Sequence, residues 1–157
     1  MAISPNDLFT SGQILTAQEC NQFPFGIVAL ASSTTTYTLT TTETIATGMT
    51  VTFTALANRY YKITYFEPQA QTTSISGNTT LTTRLTNATG TIIQNTILAN
   101  ETAADSSGMV CQKVATLTAG SVTIVGCAKA SSTTGGPQLI RDADRTAQLI
   151  VEDMGPA

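Results

Sequence analysis

The segment Met49-Thr50-Val51-Thr52-Phe53-Thr54-Ala55 alternates apolar residues with threonine without a break. Successive side chains of an extended strand point to opposite faces, so this pattern writes one greasy face and one hydroxyl face into a single strand. A helix would scatter the same residues around its circumference. The pattern recurs along the chain. Over 59–67, Tyr61, Ile63 and Tyr65 share one face, and Tyr60, Lys62, Thr64 and Phe66 share the other. Over 78–87, Leu81, Thr83 and Leu85 line up together. The chain holds 32 Thr and 11 Ser but only 11% charged residues. Threonine is β-branched and favours strands, and its hydroxyl tolerates water, so a wet sheet face needs few charges. Because the threonines alternate with large apolar residues and do not cluster with prolines, the composition reads as strands and not as a mucin-like tract.

Further strands are expected over 27–31, 37–40, 91–98, 109–118, 121–130 and 148–152, which with the three above makes roughly nine. Ala119-Gly120 between two of them reads as the turn of a hairpin. Loops are expected over 69–77, 100–107 and 131–137, the last carrying Gly135-Gly136-Pro137. At 157 residues the chain fits one domain. The expectation is an all-β fold, a β-sandwich or jelly-roll-like body of about eight to nine antiparallel strands over 26–157.

The first 25 residues follow other rules. Ser4-Pro5-Asn6-Asp7 reads as a helix start, and Thr16 with Glu19 three residues on reads as a capping box. Gly12 separates the two turns and Pro24 ends the second. This predicts an extended arm, residues 1–25, with two short helical turns. Its apolar residues Leu8, Phe9, Ile14, Leu15, Phe23 and Phe25 are candidate docking contacts, because so short a segment buries little by itself. The N-terminus shows no basic segment followed by an apolar one, so no secretory signal is expected. The apolar run from Phe25 to Ala31 is far below the ~20 residues of a membrane span.

The chemistry-bearing residues are sparse. The net charge of −3 and pI near 4.7 disfavour nucleic acid and anionic membranes as partners. With no histidine, the commonest general base and the usual triads and zinc sites drop out. Asp142 and Asp144, in Arg141-Asp142-Ala143-Asp144-Arg145, are a candidate calcium loop or acid/base pair. They read better as a solvated loop neutralised by its arginines, since no glycine or third ligand follows at calcium-loop spacing. Glu152 and Asp153 are expected to be solvated, and Glu43, Glu67 and Glu101 isolated. Cys20, Cys111 and Cys127 are an odd number and read as free thiols, with a Cys111–Cys127 bridge the alternative if the hairpin register allows it. Gly135-Gly136 lacks the lysine of a phosphate loop, and three Asn-x-Thr matches, at Asn78, Asn87 and Asn100, lie at the frequency that chance gives. No cofactor, no metal and no enzymatic activity are expected. The aromatic residues Tyr37, Tyr60 and Tyr65 could offer a stacking platform for a sugar, but the commoner use of such a row is core packing.

Two stretches and the C-terminal segment carry a resemblance. Gly12-Gln13-Ile14-Leu15-Thr16-Ala17-Gln18-Glu19-Cys20-Asn21, followed by Phe23-Pro24-Phe25-Gly26, resembles the "G-x-x-L-T-A-x-x-x-N" opening of small structural proteins of tailed bacteriophage virions. Val51-Thr52-Phe53-Thr54-Ala55 with Ala57-Asn58-Arg59-Tyr60-Tyr61 is similar to their "T-F-T-A-x-A-N-R-x-Y" strand pair. Leu149-Ile150-Val151-Glu152-Asp153-Met154-Gly155-Pro156-Ala157 resembles their closing "V-E-D-x-G-P" strand. Residues 69–136 match only in style, and Cys20 departs from the small or aliphatic residue usual there. The resemblance implies a virion component made in the bacterial cytoplasm, either a minor tail or fibre-associated protein or a capsid decoration (cement) protein. It implies major capsid or tail proteins as partners, and a homo-oligomer with a trimer favoured. It brings no catalytic residue. A carbohydrate-binding module that recognises a host-surface glycan is the alternative.

Overall fold

In a computed structural model, residues 14, 17–20, 23–73, 77–100 and 106–157 are described. One helical turn, α1 (Ala17–Cys20), falls where the Thr16 capping box predicts it. The first expected turn, at 4–7, lies outside the described residues. Ten strands follow: β1 (Gly26–Ser33), β2 (Tyr37–Thr38), β3 (Thr44–Ala55), β4 (Arg59–Gln71), β5 (Gly77–Leu85), β6 (Ile92–Asn100), β7 (Ser106–Thr116), β8 (Gly120–Ala130), β9 (Gln138–Leu139) and β10 (Ala147–Pro156).

All the pairings are antiparallel, in two sheets. One sheet runs β1-β10-β4-β7, and the other runs β3-β8-β5-β6. The short β9 lies against β4 on the same side as β10, because Ala70 pairs with both Leu139 and Ser107 while Tyr61 pairs with both Asp153 and Ala115. β2 pairs with β9. Thus β1 and β2 act as one interrupted strand, and so do β9 and β10. The body then has eight strand positions, and the first pairs with the eighth, the second with the seventh, the third with the sixth and the fourth with the fifth. A long antiparallel hairpin rolled up in this way is a jelly roll.

The rolling corrects one expectation. β7 and β8 are not a hairpin: β7 pairs with β4, and β8 pairs with β3 and β5 in the opposite sheet. The turn residues at 119–120 carry the chain across from one sheet to the other, with Gly120 at φ +119. Cys111 and Cys127 therefore sit in different sheets, and both are free and buried. β4 also runs on to Gln71, past an irregularity between Glu67 and Ala70, so the loop expected from residue 69 starts later.

The inward phase of each strand builds the core. Tyr61, Ile63 and Tyr65 of β4 pack with Leu149 and Val151 of β10, and face Met49, Val51, Phe53, Leu81 and Ile124 from the other sheet. The Phe53 and Tyr61 rings lie 5.4 Å apart at 55°. At Gly126 an added Cβ would come to 3.0 Å from both Met49 Cβ and the Tyr65 ring, so a larger residue would have to push these side chains aside by a few tenths of an ångström.

The two outer faces differ. On the β3-β8 side, Thr52 Oγ1 lies 2.8 Å from Thr123 Oγ1, and Thr50, Thr54 and Ser121 continue a hydroxyl surface. On the β1-β10-β4-β7 side, Ile27, Leu30, Val110 and Val114 are all at least half exposed. The threonine face expected from the sequence is thus mainly that of β3 and β8, since β6 of the same sheet exposes Ile92 and Ile97.

Candidate functional site

Residues 23–26, the turn from β3 into β4 and the end of β10, which all fall in segments carrying the sequence resemblance, meet at one end of the sandwich. β3 ends at Ala55, and the chain turns through Leu56, Ala57 and Asn58 into β4. Asn58 takes a left-handed backbone (φ 56), and its carbonyl accepts from Ala157 N–H at 2.8 Å. The turn brings Arg59 into the inward phase that Tyr61, Ile63 and Tyr65 continue. On β10, Ala147, Leu149 and Val151 set the same phase, and Asp153 follows in it. Both charged side chains are buried.

They meet as a bidentate pair. Arg59 Nε lies 2.5 Å from Asp153 Oδ2, and Nη2 lies 2.5 Å from Oδ1. Arg59 Nη2 also donates to the Phe23 carbonyl at 2.6 Å. Asp153 Oδ1 accepts from Gly155 N–H at 2.9 Å and from Phe25 N–H at 3.4 Å. The guanidinium stands 4.2 Å over the centroid of the Phe25 ring. Burial pushes the Asp153 carboxyl up, but the hydrogen bonds from Arg59, Gly155 and Phe25, with the Arg59 charge, outweigh it and hold the group below its ordinary range. Beside this pair lies an open hollow of ≈ 340 Å³, lined by Phe25, Leu56, Ala57, Asn58, Arg59 and Pro156. The pair is thus the root of the arm: it grips the backbone at Phe23 and Phe25, just before β1.

The described large apolar residues of the arm bury little. Ile14 is 87% exposed, Phe25 51% and Phe23 37%. Leu8, Phe9 and Leu15 lie outside the described residues. Among the described residues, none before Val28 contributes to the core.

A second buried pair closes the other end of β4. Arg141 Nε donates to Glu67 Oε2 at 3.0 Å, Nη2 reaches Oε1, and both side chains are wholly buried. Arg141 Nη1 also donates to the carbonyls of Thr47 (2.8 Å) and Thr35 (3.4 Å), and the Tyr65 hydroxyl donates to Glu67. Burial, then the Glu67 charge, raises the Tyr65 phenol well above its usual range.

Several expectations change accordingly. Tyr65 faces the core with no exposed surface, so no sugar stacks on it. Tyr37 is half-buried near the Ala70 end of β4, its hydroxyl against Thr44, while Tyr60 is half-buried at the Arg59 end. Ten residues of strand, roughly 30 Å, separate those ends, so the three tyrosines form no common platform. Glu67 is not isolated and Asp153 is not solvated. Glu43 is not isolated either, since it pairs with Arg84 at 2.5 Å. Arg141 does not neutralise the 142–144 loop; Arg145 alone pairs there with Asp142, in an exposed turn. Burial pushes the Cys127 thiol up to about 11, leaving it protonated and unreactive. Among the described residues no three of Cys, Asp and Glu gather as a metal site.

Sequence reasoning missed both buried pairs. The available signal was phase: Arg59, Glu67 and Asp153 all fall on inward positions of their strands. A charge in that phase has to find a partner of opposite sign inside.

No family model matches the chain, and no curated protein matches it. Among solved structures, a chain from the disulfide-linked pili that form Bacillus endospore appendages shares 12% identity at TM-score 0.34, covering 98% of this chain and 100% of that one. Dimeric latent PorU of Porphyromonas gingivalis shares 10% at TM-score 0.37, covering 83% of this chain and 13% of that one. An arabinose-bound MgGH51 α-L-arabinofuranosidase shares 12% at TM-score 0.36, over 88% and 24%. Likenesses of this size fix no function.

Proposed function

We propose that this chain is a structural, non-catalytic subunit of a tailed-bacteriophage virion. Its jelly roll is a rigid body, and its arm, residues 1–25, docks on a neighbouring subunit of the assembly. It serves as a minor tail or fibre-associated protein or as a capsid decoration protein, in a homo-oligomer for which a trimer is favoured. The observation that carries this reading is the contrast at the arm root. The backbone at Phe23 and Phe25 is held by a buried ion pair, yet Ile14 stands 87% exposed and, among the described residues, none before Val28 contributes to the core. A root held firmly, with an apolar residue as exposed as Ile14 beyond it, suits a segment offered to a partner. The resemblance to virion proteins supports the reading further, because its motifs contain Phe23, Phe25, Arg59 and Asp153, the residues that build the root.

The test is a chain lacking residues 1–22, which keeps the root, made in the phage that encodes the protein. It is expected to fold with an unchanged unfolding midpoint and to be missing from purified particles by mass spectrometry, where the full chain is found. Normal incorporation of the shortened chain would overturn the proposal.

A further inference from the structure

We propose that the outer face of the β1-β10-β4-β7 sheet receives the arm of a second copy of this chain. The inference rests on the docking role of the arm and names where the arm lands. Across this face, Leu30 on β1 pairs with Ile150 on β10, and Phe66 on β4 pairs with Val110 on β7. Ile150 pairs with Thr64, which puts Phe66 on its diagonal, so the four side chains form one oblique apolar stripe. Ile27 and Val114, 60% and 52% exposed, stand at the two ends of a neighbouring row whose middle is the Lys62–Glu152 ion pair. Leu30 and Val110 at its ends are exposed while Ile150 and Phe66 between them are half-buried, and an apolar stripe open in this way suits a contact surface.

The chain itself carries a segment of matching chemistry. The 22 residues before Phe23 include Leu8, Phe9, Ile14 and Leu15 and contain no Lys or Arg. The arm leaves its root within four residues of Ile27, at the edge of the same sheet. Residues 8–15 lie 8 to 15 positions before Phe23, a reach of roughly 25–50 Å for extended chain. The face is four strands wide, about 15–20 Å. An arm therefore spans a neighbour's stripe with length to spare. Ile14, at 87% exposure, is not seated on the sheet of its own body, which points to the sheet of another copy. The contact is heterologous, each copy giving one arm and accepting one.

Two full-length variants test this. L30E/V110E spoils the face at exposed positions and leaves the arm intact; L8D/F9D spoils the arm and leaves the face intact. Unchanged unfolding midpoints would show that both bodies fold. In sedimentation the natural chain is expected to form a discrete oligomer, and each variant alone to associate at least about tenfold more weakly for each apolar side chain replaced. Mixing the two variants is expected to restore pairing, since one supplies a sound arm and the other a sound face. The inference is overturned if the natural chain stays monomeric at its highest soluble concentration. It is also overturned if the face variant associates normally, or if the variants do not recover on mixing. Normal association of the face variant, with the chain lacking 1–22 still excluded from particles, would leave the docking role standing and only the acceptor wrong. Incorporation of the shortened chain would remove the docking role itself.

Discussion

The two ends of β4 solve the same problem with different partners. Each carries an inward charge, Arg59 at one end and Glu67 at the other, and each charge meets a buried opposite charge. At the Glu67 end every partner belongs to the body: Arg141, Tyr65, Thr35 and Thr47. That cluster ties the loop after β9 to the start of the roll, and its ion pair is sealed from solvent. At the Arg59 end the partners include the backbone of Phe23 and Phe25 and the Phe25 ring, all at the base of the arm. One pair closes the body on itself. The other fastens the body to a segment that leaves it. Buried ion pairs are poor sources of net stability but costly to break, so both act as fixed points.

The largest effect is expected at the closed end. R141M leaves Glu67 buried without its cation and should cost about 3–5 kcal/mol in urea unfolding. Pairing it with E67L should recover most of the loss, because two apolar groups replace two charges. An R141M loss below about 1 kcal/mol would show that Glu67 finds other relief.

R59M is expected to cost less, about 2 kcal/mol, because Asp153 keeps its bonds from Gly155 and Phe25. Its effect should also be local, with faster amide exchange at Phe25 and Ile27 and unchanged exchange at Ile63. Uniform loss of protection along the chain would erase the distinction between the two ends.

Acid should reach the root through Asp153. Its folded pKa lies below the unfolded value near 3.9, so its contribution is complete above that value and fades as pH falls through the folded pKa. Phe25 amide protection is therefore expected to hold at pH 5 and to weaken below about pH 4. In D153N the step should vanish. The smallest effect is expected for F25L, which removes the ring under Arg59 and should cost roughly 0.5–1 kcal/mol. A neutral F25L would mean that the guanidinium gains nothing from the ring.

How far the sequence disclosed all this depended on whether the signal was local. Alternation at 49–55 and 59–67 identified β3 and β4 and their buried faces, because strand phase is set by neighbouring residues. The 119–120 turn misled, since glycine at a turn serves a hairpin and a crossing between sheets equally well. Pairing with β4 on one side, and with β3 and β5 on the other, decides between them, and those partners lie far away in sequence. β9 escaped notice because two residues carry no period. The arm root was half legible: Arg59 and Asp153 sat inside recognised motifs and in inward phase, but their meeting required the roll that brings β4 beside β10.

That roll also imposes an order in time. Phe25 and Asp153 are 128 positions apart, and Arg59 and Asp153 are 94 apart. On a ribosome adding about 5–20 residues per second, Phe25 waits roughly 6–25 s before the carboxylate that anchors it has been made. Until then β1 has no β10 to pair with, and the arm has no fixed root. A nascent chain therefore cannot close the grip on Phe23 and Phe25 until its last strand has been made.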